Sequence, residues 1–550
     1  MSTVSQHVAV ALSRHIDQVF GLMGNGNAYF LDSLLRDTDA QFTAVRHEAG
    51  AVVAADAHYR ASGRIAAATT TYGAGFTNTL TALAEAAQAR IPLVLIVGDE
   101  PTSGPRAWDV DQIALSSAVG VRTYTAGRLD AAASTVIAIE HALSYRVPVV
   151  LAIPYDVPTL EAGDVPATPP LTATPPKPLA PFTQAAVRRV AEALAGAERP
   201  MLLAGRGAHL AGAGRALGEL AEATGAVTSS SALGRGVFPD SRYDLGVTGG
   251  FGAPGAMELI HQADVAVVFG ASLNPFTMRF GELFAPETRV VQVDIAPAAT
   301  HPRIGDYLQG DARVVAEALL AELDSIGRPA QPAWRESLDF EALRAQVPGD
   351  ASAPDGRLDP RSAAARIAEL LPEDRIVVSD GGHFIAWANM FWPVASPERM
   401  VMVGTAYQSI GLGFPSVAGA IQANAEATVV LTTGDGGGLM ALSDLETAVR
   451  TAGGRGLCVV WNDGAYGAEV NLYGLKGLAE EPMLIPDVDF AALARALGAE
   501  GVVVRELAEL EHLAAWAARP VSERPFLLLD LRVSRTVIAP YQHEVIRVNS

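Results

Sequence analysis

Two short segments in the last third of the chain carry the strongest chemical signal. Gly434-Asp435-Gly436-Gly437-Gly438 follows the apolar run TVVLTT, and Asn462-Asp463-Gly464-Ala465-Tyr466-Gly467 follows LCVVW. A glycine-rich turn leading into a helix presents backbone N–H groups to phosphate oxygens. Two nearby carboxylates suit Mg²⁺, which prefers hard oxygen ligands and bridges to phosphates. Alone, Gly-Asp-Gly is a common turn, and Asp435 would merely cap the following helix. With 25 residues separating Gly436 from Asn462 and an apolar run before each turn, the pair reads as a cradle for a diphosphate and a metal. Asp435 and either Asn462 or Asp463 are its candidate ligands. A third candidate, Glu48, stands in Arg46-His47-Glu48-Ala49 at the start of the helix-like run AGAVVAADAHYRASG. A Glu at a helix start is more often a cap or dipole partner. A catalytic role would need apolar neighbours that let the carboxyl hold a proton, and Ala49, Gly50, Ala51, Val52 and Val53 supply little polarity.

The elements that must position these residues follow one pattern. Short apolar runs (IPLVLIVGD, VPVVLAIP, PMLLAGRG, VAVVFGASL, RVVQVDI, RIVVSDGG, PFLLLDL) alternate with helix-like segments such as FTNTLTALAEAAQAR and AGRALGELAEATG. Strands that are apolar throughout and separated by helices predict parallel sheets covered on both faces. Such sheets bind ligands beyond the carboxyl ends of their strands, and Gly73, Gly98, Gly205, Gly381, Gly434 and Asn462 fall there. Val157 to Pro181 holds eight prolines and no helical period, so it reads as a linker; Gly327 to Pro360 reads as a second break. The breaks divide the chain into doubly wound α/β blocks over 1–165, 182–345 and 358–545. The first and third share a general pattern.

Composition narrows the class. The 550 residues are 49% hydrophobic and 18% charged, an ordinary globular balance that excludes a coiled coil, a collagen-like repeat or global disorder. Sixty acidic against 40 basic residues give a net charge of -20 with no basic cluster, arguing against nucleic acid and anionic membranes. The single Cys458 allows neither an internal disulfide nor a Cys-rich zinc site. The amino terminus lacks a basic stretch followed by an apolar one, and the apolar runs are too short to span a bilayer. A soluble cytoplasmic protein with no membrane partner is the expectation.

With these residues in view, the third block resembles the diphosphate-binding domain of thiamine diphosphate enzymes, whose signature is GDG, some two dozen residues, then an Asn-Asn or Asn-Asp pair. The resemblance implies Mg²⁺ on Asp435, Asp463 and the carbonyl of Ala465, with Gly382, His383, Gly436, Gly437, Tyr466 and Gly467 around the diphosphate. His383 has no second His at ligand spacing, so a surface position is equally open. GTAYQSIGLGFPSVA (404–418) resembles the segment that bends the cofactor into a V, with Ile410 as the wedge and the carbonyl of Gln408 orienting the cofactor's amine; Gln408 stands where a Gly is expected. In the first block RHE, VFGLMGN (19–25), TTTYGAGFTN (69–78) and IPLVLIVG (91–98) match in order. There Glu48 would activate the aminopyrimidine ring.

What the resemblance implies for chemistry is decarboxylation of a 2-oxo acid. Protonation then releases an aldehyde, or a second carbonyl compound, an aldehyde or another 2-oxo acid, is captured in a new C–C bond. Gln112 resembles the Gln of acetolactate synthases and benzaldehyde lyase, which favours carboligation. TTYGAG and Glu469 are close to the pyruvate decarboxylase form, and Asn25 falls where benzoylformate decarboxylase has a Ser. Gln112, Glu469 and Asn25 are therefore the candidates for proton and acceptor handling. In this family the first and third domains of different subunits build each site, implying a homodimer or homotetramer. The rival class is a nucleotide-binding regulatory protein working through the middle block. Ala204-Gly205-Arg206-Gly207-Ala208 lacks the third glycine of GxGxxG, so a dinucleotide or FAD is weakly supported.

Overall fold

The computed structural model describes residues 2–168, 170–171, 177–327 and 334–549, so parts of both proline-rich breaks lie outside the described residues. Three six-stranded sheets organise the chain, each with parallel neighbours throughout. The first runs, in spatial order, Gln41–Ala44, Gln18–Gly21, Ala66–Thr70, Leu93–Asp99, Pro148–Pro154, Arg122–Thr125. The third runs Met400–Val401, Arg375–Ser379, Thr428–Gly434, Gly456–Asn462, Leu527–Arg532, Glu500–Val504. Both have the same order, 2-1-3-4-6-5 when each sheet's strands are taken along the chain, which gives the shared pattern of the two blocks a structural meaning. The middle sheet runs Asp244–Val247, Val227–Ser230, Pro200–Ala204, Val265–Phe269, Arg289–Asp294, Asp306–Gln309. Its order, 3-2-1-4-5-6, is that of dinucleotide-binding folds.

Val, Leu and Ile fill both faces of the central strands; Leu93–Asp99, Pro148–Pro154, Thr428–Gly434 and Gly456–Asn462 are buried along their whole length. Gly98, Gly434 and Asn462 prove to be strand-end residues rather than loop residues. FTNTLTALAEAAQAR, read as one helix, is split into Ala74–Thr77 and Leu80–Gln88. The described parts of the breaks are tied down. Glu161–Gly163 pairs antiparallel with Ser2–Thr3, and Leu358 N–H donates to the Arg532 carbonyl at 3.2 Å.

Helix Glu48–Ser62 joins the first and third units. Its residues Gly50–His58 are buried, and it packs on helix Gly413–Ala423 in one continuous apolar core holding Val52, Ala54, Val417, Ala418, Ile421 and Leu445. The approach is backbone to backbone: a Cβ on Gly419 would lie 2.1 Å from the Ala54 carbonyl oxygen. Among the described residues, no helix is long and apolar enough to cross a membrane.

Candidate functional site

Three strand ends of the third unit converge. Strand Thr428–Gly434 stops where Asp435 begins a six-residue helix, Asp435–Met440, whose first turn is made of glycines. Asp435 Oδ1 accepts the Gly436 N–H and Oδ2 the Gly464 N–H, both at 2.9 Å, so the carboxylate spans the two βα turns. Asp463 Oδ1 accepts the Ala465 N–H at 3.1 Å. Burial pushes both carboxyl pKa values up, the charge of Asp435 adding to the rise at Asp463, while backbone donors act the other way. A buried Asp435 carboxylate and a half-buried Asp463 carboxylate that repel each other are the electrostatic condition that a divalent cation relieves. Among the described residues no cluster of three or more His, Cys, Asp or Glu side chains could hold a metal alone. A cation here therefore needs ligand oxygens and backbone carbonyls besides the two Asp, the way Mg²⁺ is bound with phosphates. Asn462, the competing ligand, is turned away: its Nδ2 donates to Asp530 Oδ1 at 2.9 Å and to the Val488 carbonyl at 3.1 Å.

The glycines are small because their neighbours are close. A Cβ on Gly436 would lie 2.6 Å from the Tyr466 ring, and one on Gly437 would lie 2.7 Å from Asp380 Oδ2. The turn after Arg375–Ser379 carries Gly382, at φ 140° and packed on Phe384. His383 is not a surface residue. It is buried, its Nε2 accepts the Ala539 N–H at 2.9 Å, and burial pushes its pKa down to about 4. Its side chain thus anchors the carboxy-terminal segment through Nε2.

Ile410 lies against the same turn, its Cγ2 3.0 Å from where a Gly381 Cβ would be. Among its ties, Ser409 N–H donates to the Gly404 carbonyl at 2.9 Å, and Tyr407 N–H donates to Glu85 Oε2 of the first unit at 2.7 Å. Gln408 is exposed and takes φ 57°, a left-handed conformation that suits the Gly expected there.

In the first unit Glu48 opens its helix, half-buried, with Asn78 Nδ2 donating to its Oε2 at 3.0 Å. The expected apolar enclosure is not supplied by its own helix, because Gly50 and the residues after it face the core behind. The turn before Glu48 is held by the third unit: Asp444 Oδ1 accepts the Arg46 N–H at 3.0 Å, and Arg46 pairs with Glu446 at 2.8 Å. Gln112 is buried, its Oε1 accepting the Gly73 N–H at 2.9 Å and its Nε2 donating to the Gly98 carbonyl at 2.9 Å and to Asp99 Oδ1 at 3.0 Å. It therefore ties two turns together. Asn25 is exposed and donates to the Tyr72 hydroxyl at 3.1 Å. Glu469 is exposed, just past the Asp463 turn. Asp380, Asp444 and a rim in which the Arg106 guanidinium lies 4.3 Å from the rings of both Tyr72 and Tyr155 escaped sequence reasoning. Asp380 alone had a visible signal, standing in SDGGHF beside residues already singled out.

In the middle unit Gly205 and Gly207 follow strand Pro200–Ala204, where the order of the parallel strands reverses. Their Cβ positions are occupied by the backbone of the next turn, 2.4 Å from the Gly270 carbonyl oxygen and 2.8 Å from Gly270 Cα. Close packing of two turns explains these glycines without a nucleotide.

Two like-ordered α/β units around a dinucleotide-type one, with paired carboxylates in adjacent βα turns of the last, define a diphosphate-binding enzyme architecture. Residues 2–117 match the N-terminal TPP-binding domain of thiamine pyrophosphate enzymes, 187–319 their central domain and 380–530 their C-terminal TPP-binding domain. The chain belongs to the thiamine pyrophosphate enzyme family, and thiamine diphosphate is its cofactor. It is 29% identical over 447 residues to the probable acetolactate synthase large subunit of Methanocaldococcus jannaschii, covering 78% of this chain and 75% of that one. It is 27% identical over 558 residues to the acetolactate synthase isozyme 3 large subunit of Escherichia coli K12 (97% and 95%). With the acetolactate synthase of Mycobacterium avium it shares 28% over 539 residues (93% and 84%).

Proposed function

We propose that the protein decarboxylates a 2-oxo acid and joins the remaining fragment to a second carbonyl compound, in the manner of an acetolactate synthase. The observation that carries this reading is the pairing of the Asp435 and Asp463 carboxylates in adjacent turns of the third unit, with Asp435 bridging the two turns, in a chain whose relatives are named acetolactate synthases. Asp435, Asp463 and the Ala465 carbonyl hold Mg²⁺. The diphosphate lies against the backbone of Gly382, His383, Gly436, Gly437 and Gly467 and against Tyr466. Bound there, thiamine diphosphate would supply a carbon nucleophile for the 2-oxo acid and an electron sink for its decarboxylation. Ile410 would stand between the cofactor's two rings, and the Gln408 carbonyl would hold its amine. Glu48 of a second copy hydrogen-bonds the aminopyrimidine, and docking of that copy provides the enclosure its own helix lacks, so the working unit is a homodimer or homotetramer. The divisions 1–165, 182–345 and 358–545 are the corresponding domains. Gln112 acts through the turns it holds, and Asn25 and Glu469 face the reacting groups. The exposed Glu469 carboxylate favours one second reading, in which it donates the proton that releases an aldehyde.

Supplying Mg²⁺, thiamine diphosphate and a panel of aliphatic and aromatic 2-oxo acids, with and without an aldehyde acceptor, tests both readings by CO₂ release and product analysis. Glu48→Gln is expected to keep cofactor affinity and lose turnover by ~10²-fold or more, the usual scale for a lost acid–base group. Turnover near wild type would remove Glu48 from the chemistry. Asp435→Ala is expected to abolish Mg²⁺-dependent cofactor binding in calorimetry, and unchanged binding would refute the cradle.

A further inference from the structure

Asp380 ends strand Arg375–Ser379 and is fully buried, yet no lysine or arginine pairs with it among the described residues. Its charge is met by four donors. Oδ1 accepts the N–H groups of Gly381 at 2.8 Å, Gly411 at 3.0 Å and Leu412 at 3.3 Å, while Oδ2 accepts the Thr433 hydroxyl at 3.0 Å. These donors belong to three different segments: the Gly381–Gly382 turn, the loop carrying Ile410, and the strand leading into Asp435. Glycines make room for the carboxylate, since a Cβ on Gly437 would stand 2.7 Å from Oδ2 and one on Gly413 3.1 Å from the same atom. Gly411, the residue after Ile410, has φ 80°, so this loop has no regular secondary structure to fix it. Its described anchors are the Gly404–Ser409 bond at its base, Glu85 at Tyr407, and Asp380 directly beyond Ile410.

We propose that Asp380 is the positioning residue of the cofactor cradle: by gathering the amides of Gly381, Gly411 and Leu412 onto one oxygen, it sets where Ile410 stands relative to the diphosphate turn. The inference rests on the cofactor reading of the site. Asp380 touches no reacting atom; it acts through Ile410. What the role requires is an oxygen acceptor of the right length rather than a negative charge. An Asn would keep Oδ1 on the three amides and turn Nδ2 toward Thr433 Oγ1, whose own hydrogen can pass to the Gly434 carbonyl 3.3 Å away. An Ala leaves the amides of Gly381, Gly411 and Leu412 without this acceptor, while the Thr433 hydroxyl can turn to the Gly434 carbonyl.

The test has two arms. In cofactor-free protein, hydrogen–deuterium exchange of peptides covering 404–413 should speed by at least ~10-fold in Asp380→Ala and stay within ~3-fold of wild type in Asp380→Asn, the span expected when buried hydrogen bonds are lost or kept. In protein saturated with Mg²⁺ and thiamine diphosphate, exchange of the cofactor's C2 hydrogen, followed by quench and NMR, should slow at least ~10-fold in Asp380→Ala and little in Asp380→Asn, because ring alignment governs that proton transfer. Wild-type rates in Asp380→Ala in either arm overturn the proposal. So does an Asp380→Asn variant with loosened exchange in 404–413 or slowed C2 exchange, which also decides the matter if Asp380→Ala does not fold. Failure of wild-type protein to bind thiamine diphosphate would instead strike the cofactor reading, and the cofactor-free arm would still decide whether Asp380 anchors the loop.

Discussion

Acidification should release the carboxy-terminal segment from the cradle through His383. The imidazole Nε2 accepts the Ala539 N–H at 2.9 Å, and the ring is 7% exposed. An imidazolium has two donors and no acceptor, so protonation both breaks this bond and buries a charge. Burial, with the nearby His543 adding to it, holds the folded pKa at about 4 against 6.5 for an ordinary histidine. A depressed pKa means that the neutral ring's contribution is complete above pH 6.5 and is lost as pH falls toward 4. That gap is worth ~3.5 kcal/mol at ~1.4 kcal/mol per pH unit, of which roughly 10²-fold in an opening equilibrium is lost by pH 4.5. Hydrogen–deuterium exchange of peptides spanning 534–549, corrected for intrinsic rate, should show this loss of protection between pH 7 and 4.5 in wild type. His383→Gln keeps an oxygen for Ala539 but does not titrate, so its protection should be flat relative to wild type over the same range. Equal losses in both proteins would refute the reasoning, because the titrating group would then lie elsewhere.

Two backbone sites offer simpler tests. Gly419→Ala should lower the melting temperature, since its Cβ would stand 2.1 Å from the Ala54 carbonyl oxygen and force two domain-joining helices apart at a cost of ~1–3 kcal/mol, more than the helix propensity gained; an unchanged or higher melting temperature would show that the helices separate freely. At Gln408, φ 57° predicts that Gly is tolerated or mildly stabilising, while Val, β-branched and poorly suited to a left-handed backbone, costs ~1 kcal/mol or more. A Gln408→Val variant melting with wild type would contradict the left-handed geometry.

Much of the architecture was legible because parallel strands buried on both faces are written as unbroken apolar runs, and glycine turns interrupt them at the ligand end. Gly434–Gly438 and Asn462–Gly467 announced themselves in this way. The residue pattern alone left Asn462 and Asp463 both open and the family resemblance pointed to Asp463; adjacent residues point in different directions, and the packing of Asp530 and Val488 shows where Asn462 is used. The burial of His383 and Gln112 was not legible for a related reason: a polar side chain gives no sign of burial unless its partners, here Ala539 and the Gly73 and Gly98 backbones, are known. The sequence by itself determined the sheets and the paired carboxylates, because hydrophobic periodicity and turn chemistry are local. Tertiary structure alone decided that Asp380 gathers three distant segments and that Asp444 holds the turn before Glu48, because a hydrogen bond between residues far apart along the chain leaves no local trace in either partner's neighbourhood.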